Sequence, residues 1–273
     1  MKQFLRRGVL GVFAALVVTG LGSFAPAVAQ GTVGVILMHG KQGSPGKAAG
    51  LRDIASKLES AGMKVVMPLM PWSEGGWEKI SVTPEQVFDL LDGYAAQLRA
   101  QGAQRIVVVG HSIGANVALS YAVARQNVAG VVMAAPGHAP GNSYRNNSRI
   151  KEAVDRAGQL VQAGQGGQSF SGGDENQGSN ITLSTTAAVY FAWLNPQGNA
   201  NMYRQAPLLP AGIPVMVIIG TKDPAYKSVQ SGIYQPAAKN PYSKYLEVEA
   251  SHRDTDFAAS QRIVDWIKGL PAR

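Results

Sequence analysis
The stretch RIVVVGHSIGANVALSYAVA, residues 105–124, decides the fold. Its first part, Ile106 to Val109, is a continuous run of branched apolar residues, the pattern of a strand covered on both faces. Its last part, from Ala115 onward, reads as a helix. Between them Gly110-His111-Ser112-Ile113-Gly114 fits G-x-S-x-G. The pattern is short, and its weight comes from its setting of strand, tight turn and helix. Glycine on both flanks leaves room where chain segments pass closely. The serine hydroxyl is thereby held above the sheet edge at a helix N-terminus, where free N–H groups favour developing negative charge.

Working outward, the same alternation recurs. VGVILM (33–38) precedes a helix over 47–61, and KVVMP (64–68) precedes one over 84–101. The central strand leads into a helix over 113–126, and AGVVMAA (129–135) follows. IPVMVIIG (213–220) precedes a helix near 228–238, and KYLEVE (244–249) leads into a last helix over 256–268. Thr83-Pro84 marks a helix start, with proline in the first turn. Apolar strands spaced by helices imply an α/β fold, a mostly parallel doubly wound sheet with right-handed crossovers. Residues 137–206 break the rhythm and read as a cap-like insertion. It comprises a helix over 148–164, a Gly- and Gln-rich mobile loop over 164–180, and a helix over 185–194 that ends at Asn195-Pro196.

On the motif and its setting, the sequence resembles the α/β-hydrolase superfamily over most of residues 32–268, the insertion excepted. The resemblance implies a nucleophilic serine, then an acid after a later strand, then a histidine after the last strand. Ser112 is the first, Asp223 follows VMVIIG-Thr221-Lys222, and His252 follows KYLEVEAS. A hydroxyl is a poor nucleophile unless its proton is removed during attack, which His252 would do while Asp223 orients the ring. AGVVMAAPGHAP and the residues up to Ile150 hold no acid, which favours Asp223 over an acid on the earlier strand. Asp254 and Asp256 are expected to cap the last helix.

The resemblance also implies two backbone N–H donors for an oxyanion. One is Ile113. The other, from His39-Gly40-Lys41-Gln42-Gly43, points to Lys41, with Gln42 serving if the loop shifts. His39 is expected to shape that loop and His111 to pack beneath the serine, while His138 has no assigned role. Trp72 and Trp77, in the loop PLMPWSEGGW (68–77), are assigned to substrate binding, with packing against the insertion as the equal alternative. Tyr190, Phe191 and Trp193 are read as the packing face of the insertion helix. Lys41 to Lys47 lacks the phosphate-loop pattern because Ala48 follows Lys47.

Composition excludes several other classes. The chain has 273 residues and no cysteine. Disulfide scaffolds, thiolate zinc sites, a cysteine nucleophile and a bacterial lipoprotein are therefore excluded. Only four histidines are present, a composition that argues against a multi-histidine metal site. The net charge is +8, but its basic residues are scattered rather than clustered, so nucleic acid is not an expected partner. MKQFLRR (1–7), the apolar residues 8–22, and Ala27-x-Ala29 form a signal-peptide pattern with cleavage after Ala29. The remainder, residues 30–273, is expected to be periplasmic or secreted, without stable membrane insertion.

The reading is thus a serine hydrolase of carboxylic esters or related acyl compounds, acting on a small-molecule acyl substrate through an acyl-Ser112 intermediate without metal or organic cofactor. The alternative is a catalytically silent fold of the same type that binds a ligand or an envelope partner.

Overall fold
The computed structural model describes residues 31–272. The expected signal segment and its cleavage point lie outside them. The chain alternates β1 (Val33–Met38), α1 (Ala49–Ser60), β2 (Lys64–Val66), α2 (Pro84–Ala100), β3 (Arg105–His111), α3 (Ile113–Arg125) and β4 (Gly130–Ala134). The segment after β4 holds α4 (Pro140–Asn146), α5 (Ser148–Gln162), β5 (Ser169–Asn176), β6 (Ser179–Thr186), α6 (Ala187–Leu194) and α7 (Met202–Gln205). β7 (Val215–Gly220), α8 (Tyr226–Val229), α9 (Gln235–Ala237), β8 (Lys244–Val248) and α10 (Thr255–Lys268) complete it.

Six strands form one sheet in the order β2-β1-β3-β4-β7-β8, and every neighbouring pair is parallel. The continuous apolar strands are explained by cover on both faces. Ile36, Met38, Val108, Met133, Val217 and Ile219 face one core with α2, α3 and the inserted segment. Val35, Leu37, Val107, Val109, Val132 and Ile218 face the other, closed by Leu51, Ile54 and Leu58 of α1 and Ile263 and Ile267 of α10. Each such side chain, fully buried, contributes roughly 1.5–3 kcal/mol. At α2, Thr83 accepts from the Gln86 N–H while Gln86 returns the bond to the Thr83 N–H, a capping box with Pro84 in the first turn.

One expectation is corrected and another refined. The expected mobile loop over 164–180 is instead most of a β-hairpin, β5 paired antiparallel with β6. Its two-residue turn places Gln177 at φ 49° and Gly178 at φ 80°, the left-handed pair that matches strand twist. No apolar alternation announces these strands. They are held by tertiary contacts: Phe170 lies 4.8 Å from the Tyr190 ring, and the Tyr190 hydroxyl donates to Gly173 O at 2.7 Å. The Ser184 N–H donates to Glu78 O at 2.7 Å, tying the hairpin to the loop after β2. The helix expected near 228–238 is present as one continuous helical run over 226–237, in which α8 and α9 flank a more widely wound stretch, Gln230–Tyr234. Pro236 lacks an N–H to continue a regular ladder.

Candidate active site
The site forms at the carboxyl ends of the strands. Ser112 ends the β3-to-α3 turn at φ 57° and ψ −120°, a strained conformation for a residue with a side chain. It is over-determined by its surroundings. The Ser112 N–H donates to Ala134 O at 3.1 Å, and Ser112 O accepts from the N–H groups of Ala115 and Gly137 at 3.0 and 3.1 Å. A Cβ at Gly110 would run into the Gly114 backbone, and one at Gly114 into Met38 O, so both flanking glycines answer close approach.

β7 and β8 bring the other two side chains in. Asp223 is buried just past β7, where its Oδ1 accepts the Ala225 N–H at 2.7 Å. His252 Nδ1 lies 2.7 Å from Asp223 Oδ2, and its Nε2 lies 3.0 Å from Ser112 Oγ. A carboxylate only accepts, so Nδ1 carries the proton and Nε2 is left to accept from the serine hydroxyl. The three residues, 29 and 140 positions from His252 in sequence, form one continuous hydrogen-bonded chain.

His111 does not lie idle beneath the serine. Its Nε2 donates to the backbone O of His252 at 2.8 Å, holding the segment that carries the ring. Burial lowers its pKa, partly opposed by buried Asp256 nearby. Asp254 occupies the cap position of α10 but makes no side-chain cap bond; its carboxylate takes the Ser251 hydroxyl instead.

The loop after β1 supplies the opposite wall. Ile113 is the first residue of α3, where an N–H has no intrahelical acceptor. Of the two candidates in the loop, Gln42 has its N–H spent on Trp72 O at 3.0 Å, which leaves Lys41. His39 is buried; its Nδ1 lies 2.9 Å from Gly40 O, and its Nε2 lies 3.0 Å from the Ser73 hydroxyl. Burial above all lowers the His39 pKa, so it is a neutral, structural ring.

Trp72 and Trp77 do not line the open cleft, contrary to their assignment to substrate binding. Both are fully buried. The Trp72 N–H donates to His39 O and the Trp77 N–H to Asp174 Oδ2, each at 2.8 Å. Their rings pack edge-on against Trp193 at 6.2 and 5.3 Å, an arrangement aromatic quadrupoles favour. Each indole therefore has a buried acceptor and an aromatic partner, and together they form a solid wall. The open cleft beside Ser112, of about 940 Å³, is lined instead by Gln42, Glu78, Asn176, Ser179, Arg253 and Phe257 among others.

One pair at the site had no signal in the sequence. Lys41 Nζ lies 2.6 Å from Asp174 Oδ2, and both side chains are almost wholly buried. Asp174 stands in the Gly-rich segment, where nothing local marks it. Burial pushes its carboxyl upward, but the Lys41 ammonium, neighbouring His138 and two N–H bonds outweigh that and hold it below the usual range. Burial, opposed by Asp174, leaves the Lys41 ammonium below the ordinary lysine value.

A parallel doubly wound sheet with a serine on a strained strand-to-helix turn, joined to a histidine and a buried acid beyond later strands, defines a class of fold and site. The chain belongs to the alpha/beta hydrolase family, whose model matches residues 35–266. Comparison with curated proteins finds no match. Among solved structures, it is similar to a monoacylglycerol lipase of Paleococcus ferrophilus, with 20% identity, TM-score 0.62, and coverage of 88% of this chain and 97% of that one. It is also similar to a highly thermostable carboxyl esterase from Bacillus coagulans in complex with glycerol (14% identity, TM-score 0.58, coverage 89% and 91%). Est1E from Butyrivibrio proteoclasticus with ferulic acid bound matches equally (14% identity, TM-score 0.58, coverage 89% and 91%). At these identities the likeness is one of fold.

Proposed function
We propose that this chain is an exported serine hydrolase that cleaves carboxylic esters through an acyl-Ser112 intermediate. The observation that carries the reading is the Ser112–His252–Asp223 hydrogen-bonded chain. Ser112 Oγ attacks the ester carbonyl as its proton passes to His252 Nε2. The tetrahedral oxyanion takes the N–H groups of Ile113 and Lys41. His252 returns the proton to the departing alkoxide, which leaves as the alcohol. Water then adds to the acyl-enzyme with His252 again as base, and the free acid is released. Asp223 holds the ring and stabilises the imidazolium. Related structures named as lipase and esterase support ester bonds as the substrate class. Export to the periplasm or beyond rests on the signal pattern of residues 1–29.

The test is labelling of the folded protein with a fluorophosphonate probe alongside turnover of p-nitrophenyl acetate. The expected results are a Ser112 adduct and a loss of several orders of magnitude in turnover for Ser112→Ala, nearly as much for His252→Ala, and somewhat less for Asp223→Asn. Absence of an adduct, or unchanged turnover in Ser112→Ala, would leave the silent ligand-binding alternative.

A further inference from the structure
We propose that Asp174, on the inserted hairpin, is a positioning residue for the oxyanion donor at Lys41, so that docking of the insertion completes the site. This rests on Ser112 being the nucleophile.

The donor belongs to the peptide unit joining Gly40 and Lys41. That unit is planar and trans, so its N–H points opposite to its C=O. Gly40 O is held from behind by His39 Nδ1 at 2.9 Å and by the Gly43 N–H at 3.1 Å. On the near side the chain presses on the nucleophile: a Cβ on Gly40 would lie 3.1 Å from Ser112 Cβ. These contacts aim the carbonyl. Past Lys41 the backbone is held by the Gln42 N–H on Trp72 O at 3.0 Å, and the Lys41 side chain adds a second hold on that end of the unit.

That end is anchored by the insertion. Lys41 Nζ donates to Asp174 Oδ2 at 2.6 Å and lies 4.3 Å from the centroid of the Trp77 ring. The Trp77 N–H donates to the same oxygen at 2.8 Å. The anchor spans 133 residues of sequence and joins a core loop to β5. A charged pair so deeply buried is costly to form and gives little net stability, whereas it fixes geometry strongly. A donor held within a few tenths of an ångström of the developing oxyanion is what acyl transfer requires.

The hairpin also reaches the cleft. Asn176 lies two residues beyond Asp174 on β5 and so shares its face, and Ser179 is its partner across the ladder. Both line the cleft beside Ser112. One rigid strand pair thus carries the anchor of the donor and part of the rim that a substrate meets.

The test compares the wild-type chain with Asp174→Asn, the double variant Lys41→Met/Asp174→Leu, and Trp77→Phe. Turnover of p-nitrophenyl acetate, inhibition by phenylboronic acid and thermal unfolding are measured for each. Asp174→Asn strands a buried charge and can fail to fold. The double variant removes both charges and is expected to fold. Its expected kcat is lower by about 100-fold with KM within about twofold, and phenylboronic acid, whose adduct places an oxygen in the hole, binds weaker by a similar factor. Trp77→Phe keeps the ring, loses one bond to Asp174, and is expected to lower kcat by roughly 3- to 10-fold.

A folded double variant with wild-type kcat, or a loss confined to KM, overturns the proposal. If the double variant does not fold, unchanged kcat in folded Trp77→Phe overturns it. A wild-type chain that neither labels at Ser112 nor turns over ester fails the serine-hydrolase reading instead, so the two failures are distinct.

Discussion

A β-carbon on Gly137 would lie 2.6 Å from the Oγ of Ser112. The chain after β4 therefore passes directly over the Ser112 hydroxyl, and only hydrogen at that position leaves the hydroxyl where His252 can reach it. Gly137→Ala meets first the mobile end of a serine side chain, which can rotate away at small cost to the fold. It cannot do so and keep the bond to His252. The expected outcome is a kcat lower by about 10- to 100-fold with the unfolding midpoint nearly unchanged. Steady-state kinetics paired with thermal unfolding checks it, and a parallel loss of both would contradict the account.

His138 makes stability depend on pH. It is half-buried beside Trp77 and Trp193, and its Nε2 donates to Trp193 O at 2.9 Å. Burial, and next the charge of Lys41, lowers its pKa from 6.5 to about 4. The folded state thus keeps the ring neutral where the unfolded chain would take up a proton. Between pH 6.5 and 4 the unfolded state binds more protons, so stability is complete above that window and falls as pH drops through it. The loss reaches about 3 kcal/mol by pH 4. His39 and His111 are shifted in the same direction and add to it. Urea unfolding at pH 7.5 and 5 measures the slope. His138→Asn, whose side chain tolerates the left-handed backbone at this position, is expected to flatten it.

The tryptophan wall limits the acyl group. Trp72, Trp77 and Trp193 fill the interior behind the loop after β1, and the cleft that remains is open, its walls a mixture of polar side chains and apolar ones such as Ile181 and Phe257. Across p-nitrophenyl esters, kcat/KM for acetate and butyrate is expected to exceed that for dodecanoate by at least ~10-fold, since with the wall closed a long chain stays in the open cleft and is not enclosed by apolar side chains. A rate that rises with chain length would show that the wall opens.

His111 is expected to matter through the backbone of His252. His111→Phe keeps a ring of similar size but leaves the His252 carbonyl without its donor. It should cost about 1–3 kcal/mol of stability and lower kcat, because that carbonyl then loses a fixed position. His111→Gln, whose amide can reach the same oxygen, should recover most of both. Equal loss in the two variants, read by unfolding and kinetics, would mean that ring packing rather than the bond to His252 holds the segment.

Much of this architecture was legible from local pattern. The strands from Val33, Arg105 and Val215 carry continuous apolar runs because both faces of a parallel sheet are covered, and such runs need no partner to be recognised. Ser112 and Asp223 were legible for a related reason: each stands just past the end of such a strand. His252 follows the mixed edge strand β8, and a parallel sheet places all those ends along one edge. The hairpin was not legible. Phe170, Gly172 and Asp174 are buried by Tyr190, Lys41 and Trp77, so their environment comes from other parts of the chain and leaves no periodic trace.

The same division separates the tryptophans. Their number and loop suggested a pocket, yet whether an indole faces a ligand or a neighbour depends on what stands opposite it. Here Trp193 and Asp174, both from the insertion, stand opposite.

From residue order alone came the alternating elements, the strained serine turn and the sequence positions of its two partners, since these depend on strand ends and local turn chemistry. The tertiary structure alone decided the enclosed tryptophans, the hairpin, and the Lys41–Asp174 pair, because burial and charge pairing over 133 residues are properties of packing and have no local signature.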